Sequence, residues 1–267
     1  MHNHTREPLQ GTEKTMITYR QIARSVAFAS IGLLAATGAF AQNSGSAVFQ
    51  NISFTGAGSG INSAVIHSRV FNDYPGATFT GVNNYPSLIS LSEANVVGPS
   101  GFANRDDWRF SSNGGVSDHL FGHTEYWSVS MTLTLTGIPT SPRKEAGFRL
   151  DSSIGGDGLF IVNTDAHEIV AFGGPLPFYS FAPSTYNSGT PIVLGMTYEN
   201  IGGTNGIVYS ANGVNSPFLP MTNLEQDVLD GSTLGGYLQV VGVVPEPSSI
   251  ALFGMGALAV LLRRRRA

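Results

Sequence analysis

From Trp127 to Thr136 apolar and polar residues alternate without a break, which puts Trp127, Val129, Met131, Leu133 and Leu135 on one face of an extended segment. The pattern predicts a β-strand with one buried face. Shorter runs rich in β-branched and aromatic residues predict further strands at Ala47–Phe54, Ser63–Phe71, Asp107–Ser111, Gly147–Asp151, Leu159–Thr164, Glu168–Phe172, Pro191–Glu199, Gly206–Ala211 and Tyr237–Val243. Clusters of Gly, Asn, Asp or Pro separate nearly all of them. Three short ones, Gly155-Gly156-Asp157-Gly158, Asp165-Ala166-His167 and Gly202-Gly203-Thr204-Asn205-Gly206, favour antiparallel hairpins. No long helical period intervenes, which argues against βαβ units. The expected fold is all-β: an antiparallel jelly-roll β-sandwich, with a barrel as the alternative.

Both ends of the chain depart from this pattern. Residues 1–15 are polar and without hydrophobic period, and are expected to be an untranslated or disordered extension. From Met16, a second candidate start, Arg20 and Arg24 precede an apolar and small-residue run, Val26 to Thr37. Ala39-Phe40-Ala41 then fits the small-x-small cleavage pattern. Residues 16–41 therefore read as a signal helix cut after Ala41 and passed by the Sec translocon. A permanent N-terminal anchor is the alternative, but the run falls short of the roughly 20 apolar residues a span needs.

At the other end, Pro245 and Pro247 fix φ, lack N–H groups and push their predecessors out of the helical region, so Val244-Pro245-Glu246-Pro247 should be short and extended. The apolar run from Pro247 to Leu262 has 16 residues. As a helix it would measure roughly 24 Å against a hydrocarbon core of about 30 Å. Arg263, Arg264, Arg265 and Arg266 follow directly and act as a membrane stop: their stems can snorkel and their charge stays cytoplasmic. A buried core helix is the competing reading, but four arginines have no reason to flank a soluble core.

Together, the Val244–Pro247 motif, the apolar helix and the arginine cluster resemble the PEP-CTERM sorting signal of Gram-negative, exopolysaccharide-producing bacteria, over residues 244–267. The resemblance implies export, transient retention in the inner membrane through a C-terminal transmembrane helix, and processing near Pro245, Glu246 and Pro247 by an exosortase. The destination it implies is the outer surface or extracellular matrix, in association with exopolysaccharide or biofilm. A second stretch comprises Glu145-Ala146-Gly147-Phe148-Arg149-Leu150-Asp151, Gly155 to Val162, and Ala171-Phe172-Gly173-Gly174-Pro175. It resembles, in outline, concanavalin-like β-sandwich domains, which implies a fold and possible glycan contact for a domain spanning residues 42–243.

Charge narrows the partners. Between residues 42 and 247 sixteen acidic residues face six basic ones, a net charge of −10 with histidine neutral. Nucleic-acid binding rests on neutralising phosphates, so a nucleic-acid partner is not expected. Cysteine is absent, which excludes disulfides, thiol catalysis and cysteine metal sites.

Candidate chemistry is sparse. Asp151 and Asp157 flank a glycine turn, with Asp165 at the next hairpin, and carboxylates on Gly-rich loops suit Ca²⁺. Turn-capping aspartates, with Arg149 as an ion-pair partner, are the competing reading. No other cofactor is expected. His119 and His123 would share a helical face able to hold zinc, but Gly122 intervenes and a strong strand follows. Asp106 and Asp107 cannot form an acid/base pair, because neighbours in a strand point to opposite faces; solvated ion pairs with Arg105 and Arg109 are expected instead. Phe178, Tyr179, Phe181 and Tyr186 could form a stacking platform for sugars, or could tuck under their own loop.

Three function classes follow. The favoured one is a non-enzymatic, exosortase-processed surface or matrix protein. The alternatives are a lectin-like carbohydrate-binding module and a secreted glycoside hydrolase, the last resting only on carboxylate abundance in an exported chain.

Overall fold

The computed structural model describes residues 43–56, 60–98, 100–138, 140–152, 154–222 and 229–243. Their strands are β1 (Ser44–Gly56), β2 (Ser63–Asn72), β3 (Thr78–Asn84), β4 (Leu88–Ala94), β5 (Ala103–Ser111), β6 (Trp127–Ile138), β7 (Lys144–Ser152) and β8 (Gly156–Asn163). There follow β9 (Ile169–Phe172), β10 (Tyr179–Ser180), β11 (Pro191–Ile201), β12 (Thr204–Ala211), β13 (Val214–Asn215), β14 (Leu219–Pro220) and β15 (Thr233–Val241). All fall within one compact unit, Ala41–Val244. The expected leader, its cleavage residues Ala39 and Ala41, and the tail from Val244 to Arg266 lie outside the described residues.

Two antiparallel sheets form a sandwich. One runs β13-β12-β11-β6-β1-β4-β3, with β14 also on β12; the other runs β10-β9-β8-β7-β15-β5-β2. The expected hairpins join β7 to β8, β8 to β9 and β11 to β12. Strand β6 carries the unbroken alternation and lies inside its sheet between β11 and β1. All five of its apolar side chains named above are buried. Aromatic pairs bridge the two sheets: Phe49 of β1 meets Trp108 of β5 edge-on at 5.7 Å between ring centroids, and Phe160 of β8 meets Tyr209 of β12 at 5.1 Å. Burying each such side chain is worth about 1.5–3 kcal/mol relative to exposure, so this aromatic layer clamps the two sheets together.

The structure adds β3 and β4, which the apolar runs did not predict. In β4 every second residue points inward, but the third inward position is Glu93, fully buried, so the apolar alternation stops after Ile89 and Leu91. Strand β3 is a sheet edge with almost every side chain exposed, leaving no buried face to leave a pattern.

Candidate functional site

The seven-stranded sheet has a polar outer face, and strand register assembles it. Odd-numbered residues of β5, β15, β7 and β8 share that face and line up in rows across the strands. Arg105, Gln239, Glu145 and Asn163 make one row. Two residues along, Asp107, Tyr237, Gly147 and Ile161 make the next, flanked by His67 on β2. Arg109, Gly235, Arg149 and Leu159 follow, then Thr233, Asp151 and Asp157.

Aspartates and arginines from neighbouring rows interlock. Asp107, 1% exposed, accepts from Arg109 Nη2 at 3.2 Å and from Arg149 Nη1. Burial pushes its carboxyl above the usual range, while Arg149, Arg109 and Arg105 pull it back. Asp151 takes Arg109 at 2.8 Å and Arg149 at 3.2 Å. Asp157 takes Arg149 Nε and Nη2 at 3.0 and 2.7 Å, and Arg105 Nη1. Burial works against the Asp157 anion, but these guanidiniums outweigh it and lower its pKa. Gly235 lies between Arg109 and Arg149, so no side chain separates the two guanidiniums as they converge on Asp107. A Cβ there would collide with the Trp108 carbonyl oxygen, so only glycine fits.

Beside this network, Leu159, Ile161, Val170 and Tyr237 form a small apolar cluster on the same face, with Phe172 against it. The Arg105 guanidinium lies 5.4 Å from the Tyr237 ring centroid, and the Tyr237 hydroxyl donates to Glu145 Oε1 at 3.0 Å. The Gln239 amide joins the row: its nitrogen donates to Glu145 Oε1 at 3.0 Å and its oxygen accepts from Arg105 Nε at 2.9 Å. Arg143 donates through Nε to Glu145 Oε2 at 2.8 Å.

At the far end of the sheet, Asp118 reaches the face, taking Arg109 at 3.2 Å and His67 at 2.7 Å. The near end stays open as a groove of about 700 Å³. Arg105, Gln239 and Glu145 contribute to its lining, as do Phe102, Arg143, Asp165 and Phe172 from the surrounding segments.

The structure separates Asp106 from Asp107 as strand geometry requires, but neither pair is solvated. Asp106 is fully buried on the inner face, where Arg69 N–H donates to it at 2.8 Å and Arg69 Nε donates to buried Glu93 at 2.7 Å. Asp151 and Asp157 are cross-strand neighbours on the outer face, and Arg105, Arg109 and Arg149 occupy their carboxylates. A calcium ion there would compete with three guanidiniums. Among the described residues no group of three acidic or histidine side chains is arranged to hold an ion. His119 pairs with Glu125 at 2.9 Å and His123 with Asp230 at 2.8 Å, so the two imidazoles do not converge. In the aromatic loop Phe181 and Tyr186 are buried, the latter bonding the Leu135 backbone, while Phe178 is 71% exposed.

The groove was not anticipated. Its floor draws Arg105, Gln239 and Glu145 from three different strands, so no single stretch of sequence signals it.

Strand β15, central to the seven-stranded sheet, delivers the chain to its C-terminal segment. Val243 pairs with Val97 in an isolated parallel bridge, and its N–H donates to the Val96 carbonyl at 3.1 Å. An antiparallel β-sandwich thus hands over, at a fixed point, to an address segment. Residues 243–266 match the family model described as the PEP-CTERM protein-sorting motif, beginning one residue before the expected boundary. The chain therefore carries a PEP-CTERM protein-sorting motif at its C-terminal end, which implies recognition by an exosortase, export and membrane-anchored transit before processing. No curated protein and no solved structure matches it.

Proposed function

We propose that the protein is a non-enzymatic component of the outer surface or extracellular matrix, delivered there by exosortase processing and associated with exopolysaccharide or biofilm. The observation that carries this reading is the sorting motif at residues 243–266 attached to a self-contained β-sandwich. The state of the carboxylates supports it. An acid/base pair for hydrolysis needs carboxylates free to exchange protons with a substrate. Asp107, Asp151 and Asp157 are instead tied to arginines, and Asp106 and Glu93 are enclosed between the sheets.

Intact-mass measurement of the protein from the surface or medium of producing cells, with and without exosortase, tests the reading. A C-terminus near Pro245 to Pro247, seen only with exosortase, is the expected result. Retention of Arg263 to Arg266 in both would leave a simply anchored protein and defeat the proposal.

A further inference from the structure

We infer that the groove at the near end of the seven-stranded sheet, between Phe102 and Arg143, is a binding site for a neutral oligosaccharide. The inference deepens the surface-protein reading and rests on it only for biological context.

The groove's volume, about 700 Å³, lies in the range of small-molecule sites. Its floor is a preorganised polar row: each of Arg105, Gln239 and Glu145 is held by a neighbour, so little side-chain entropy is lost when a ligand binds. Its walls keep unused capacity. Arg143 spends Nε on Glu145, while Nη2 stands 3.9 Å from Glu168. Asp165 accepts at 2.8 Å from the N–H of Ala166 in its own loop, which leaves carboxylate acceptor capacity. Phe102 is 56% exposed at the rim, and Phe172 lies half-buried along the lining.

A ligand that satisfies all three must accept from a guanidinium, donate to a carboxylate, and lay an apolar surface on a phenyl ring. A sugar ring does this, because vicinal hydroxyls both donate and accept while the ring's C–H face is apolar. Other classes fit poorly. The groove's own charges balance, Arg105 and Arg143 against Glu145 and Asp165, so nothing in it favours a polyanion. An extended peptide adds to a sheet edge, whereas β15 is paired on both sides, to β5 and β7.

The test uses the full chain in detergent micelles, titrated with hexasaccharides of glucose, mannose, galactose and N-acetylglucosamine, and with an oligo-glucuronate. Variants Phe102→Ala and Arg143→Gln probe the groove, and Phe178→Ala probes an exposed aromatic outside its lining. The expected result is binding of at least one neutral series, weakened roughly tenfold or more by each groove variant and unchanged by Phe178→Ala, with every variant shown by its thermal melt to be folded at the titration temperature. Three outcomes would overturn the proposal: no neutral saccharide bound, binding confined to the glucuronate, or loss with Phe178→Ala but not with Phe102→Ala. Because this titration does not read tail processing, failed sorting and an empty groove are separate results.

Discussion

The backbone N–H of Arg69 donates to Asp106 Oδ1 at 2.8 Å while Arg69 holds a φ of 59°, the left-handed region that a long side chain rarely adopts. The same residue sends its guanidinium to Glu93 at 2.7 Å and to the carbonyl of Ala77 at 2.6 Å. One residue therefore serves two buried carboxylates, Asp106 through its backbone amide and Glu93 through its guanidinium. Burial raises the Asp106 carboxyl to about 7, with the Arg69 N–H pulling down and the Glu93 charge pushing up.

Stability should consequently fall as pH rises. Folded Asp106 keeps its proton up to about 7, whereas the unfolded carboxyl releases it near 3.8. Between those values the native state binds the extra proton, so this contribution is fully present below about 3.8 and lost as pH passes about 7. Asp157 acts oppositely: its pKa is lowered, so its contribution is present above 3.8 and disappears on acidification. Urea midpoints measured across this range for the protein and for Asp106→Asn should converge in slope above pH 7 and differ below it. Parallel profiles throughout would mean that Asp106 is ionised in the fold.

Asp107 holds the outer network together, since Arg109 and Arg149 both end on it. Asp107→Ala removes the most deeply buried acceptor of Arg109 and Arg149, which keep Asp118, Asp151 and Asp157, and should cost about 1–3 kcal/mol, the penalty for leaving buried donors short of a partner. Denaturant unfolding reads it as a lower midpoint at unchanged slope. A loss under about 1 kcal/mol would place the pairs among ordinary surface salt bridges.

Gly235→Ala adds one methyl group at a position where the Trp108 carbonyl leaves no room. Moving β15 away from β5 strains a central ladder, and overpacking of this kind typically costs about 1–3 kcal/mol. A thermal melt should show a lower midpoint, whereas an unchanged midpoint would show that the ladder yields freely.

The strands with one apolar face were legible, because period-2 alternation reports burial directly: β6 formed where Trp127 to Thr136 said it would, and runs at β11, β12 and β15 followed. Glu93 hid β4 by placing a charge on the buried face, and its partners Arg69, 24 residues upstream, and Asn104 make that burial tolerable. Single residues were readable in part: Asp106 and Asp107 went to opposite faces, and Arg149 did pair with Asp151 and Asp157. The groove was not, since Arg105, Gln239 and Glu145 become neighbours only once β15 inserts between β5 and β7. No local pattern encodes that insertion.

The sorting segment should be separable from the fold that carries it. The matched motif begins at Val243, and the last tertiary ties before the tail are the Val243 bridge to Val97 and the Gly98 N–H donating to the Val243 carbonyl at 3.2 Å. Deleting residues 244–267 spares both, along with every ladder of β15. The truncated protein should therefore melt within a degree or two of the full chain, since it keeps the pairing and packing of the sandwich. Its location should nonetheless change, because the segment matched to the motif is the one an exosortase would recognise. Fractionation of producing cells checks the second half: truncated protein is expected to miss the route taken by the full chain. Equal delivery of both would mean that routing is written in the sandwich rather than in its tail.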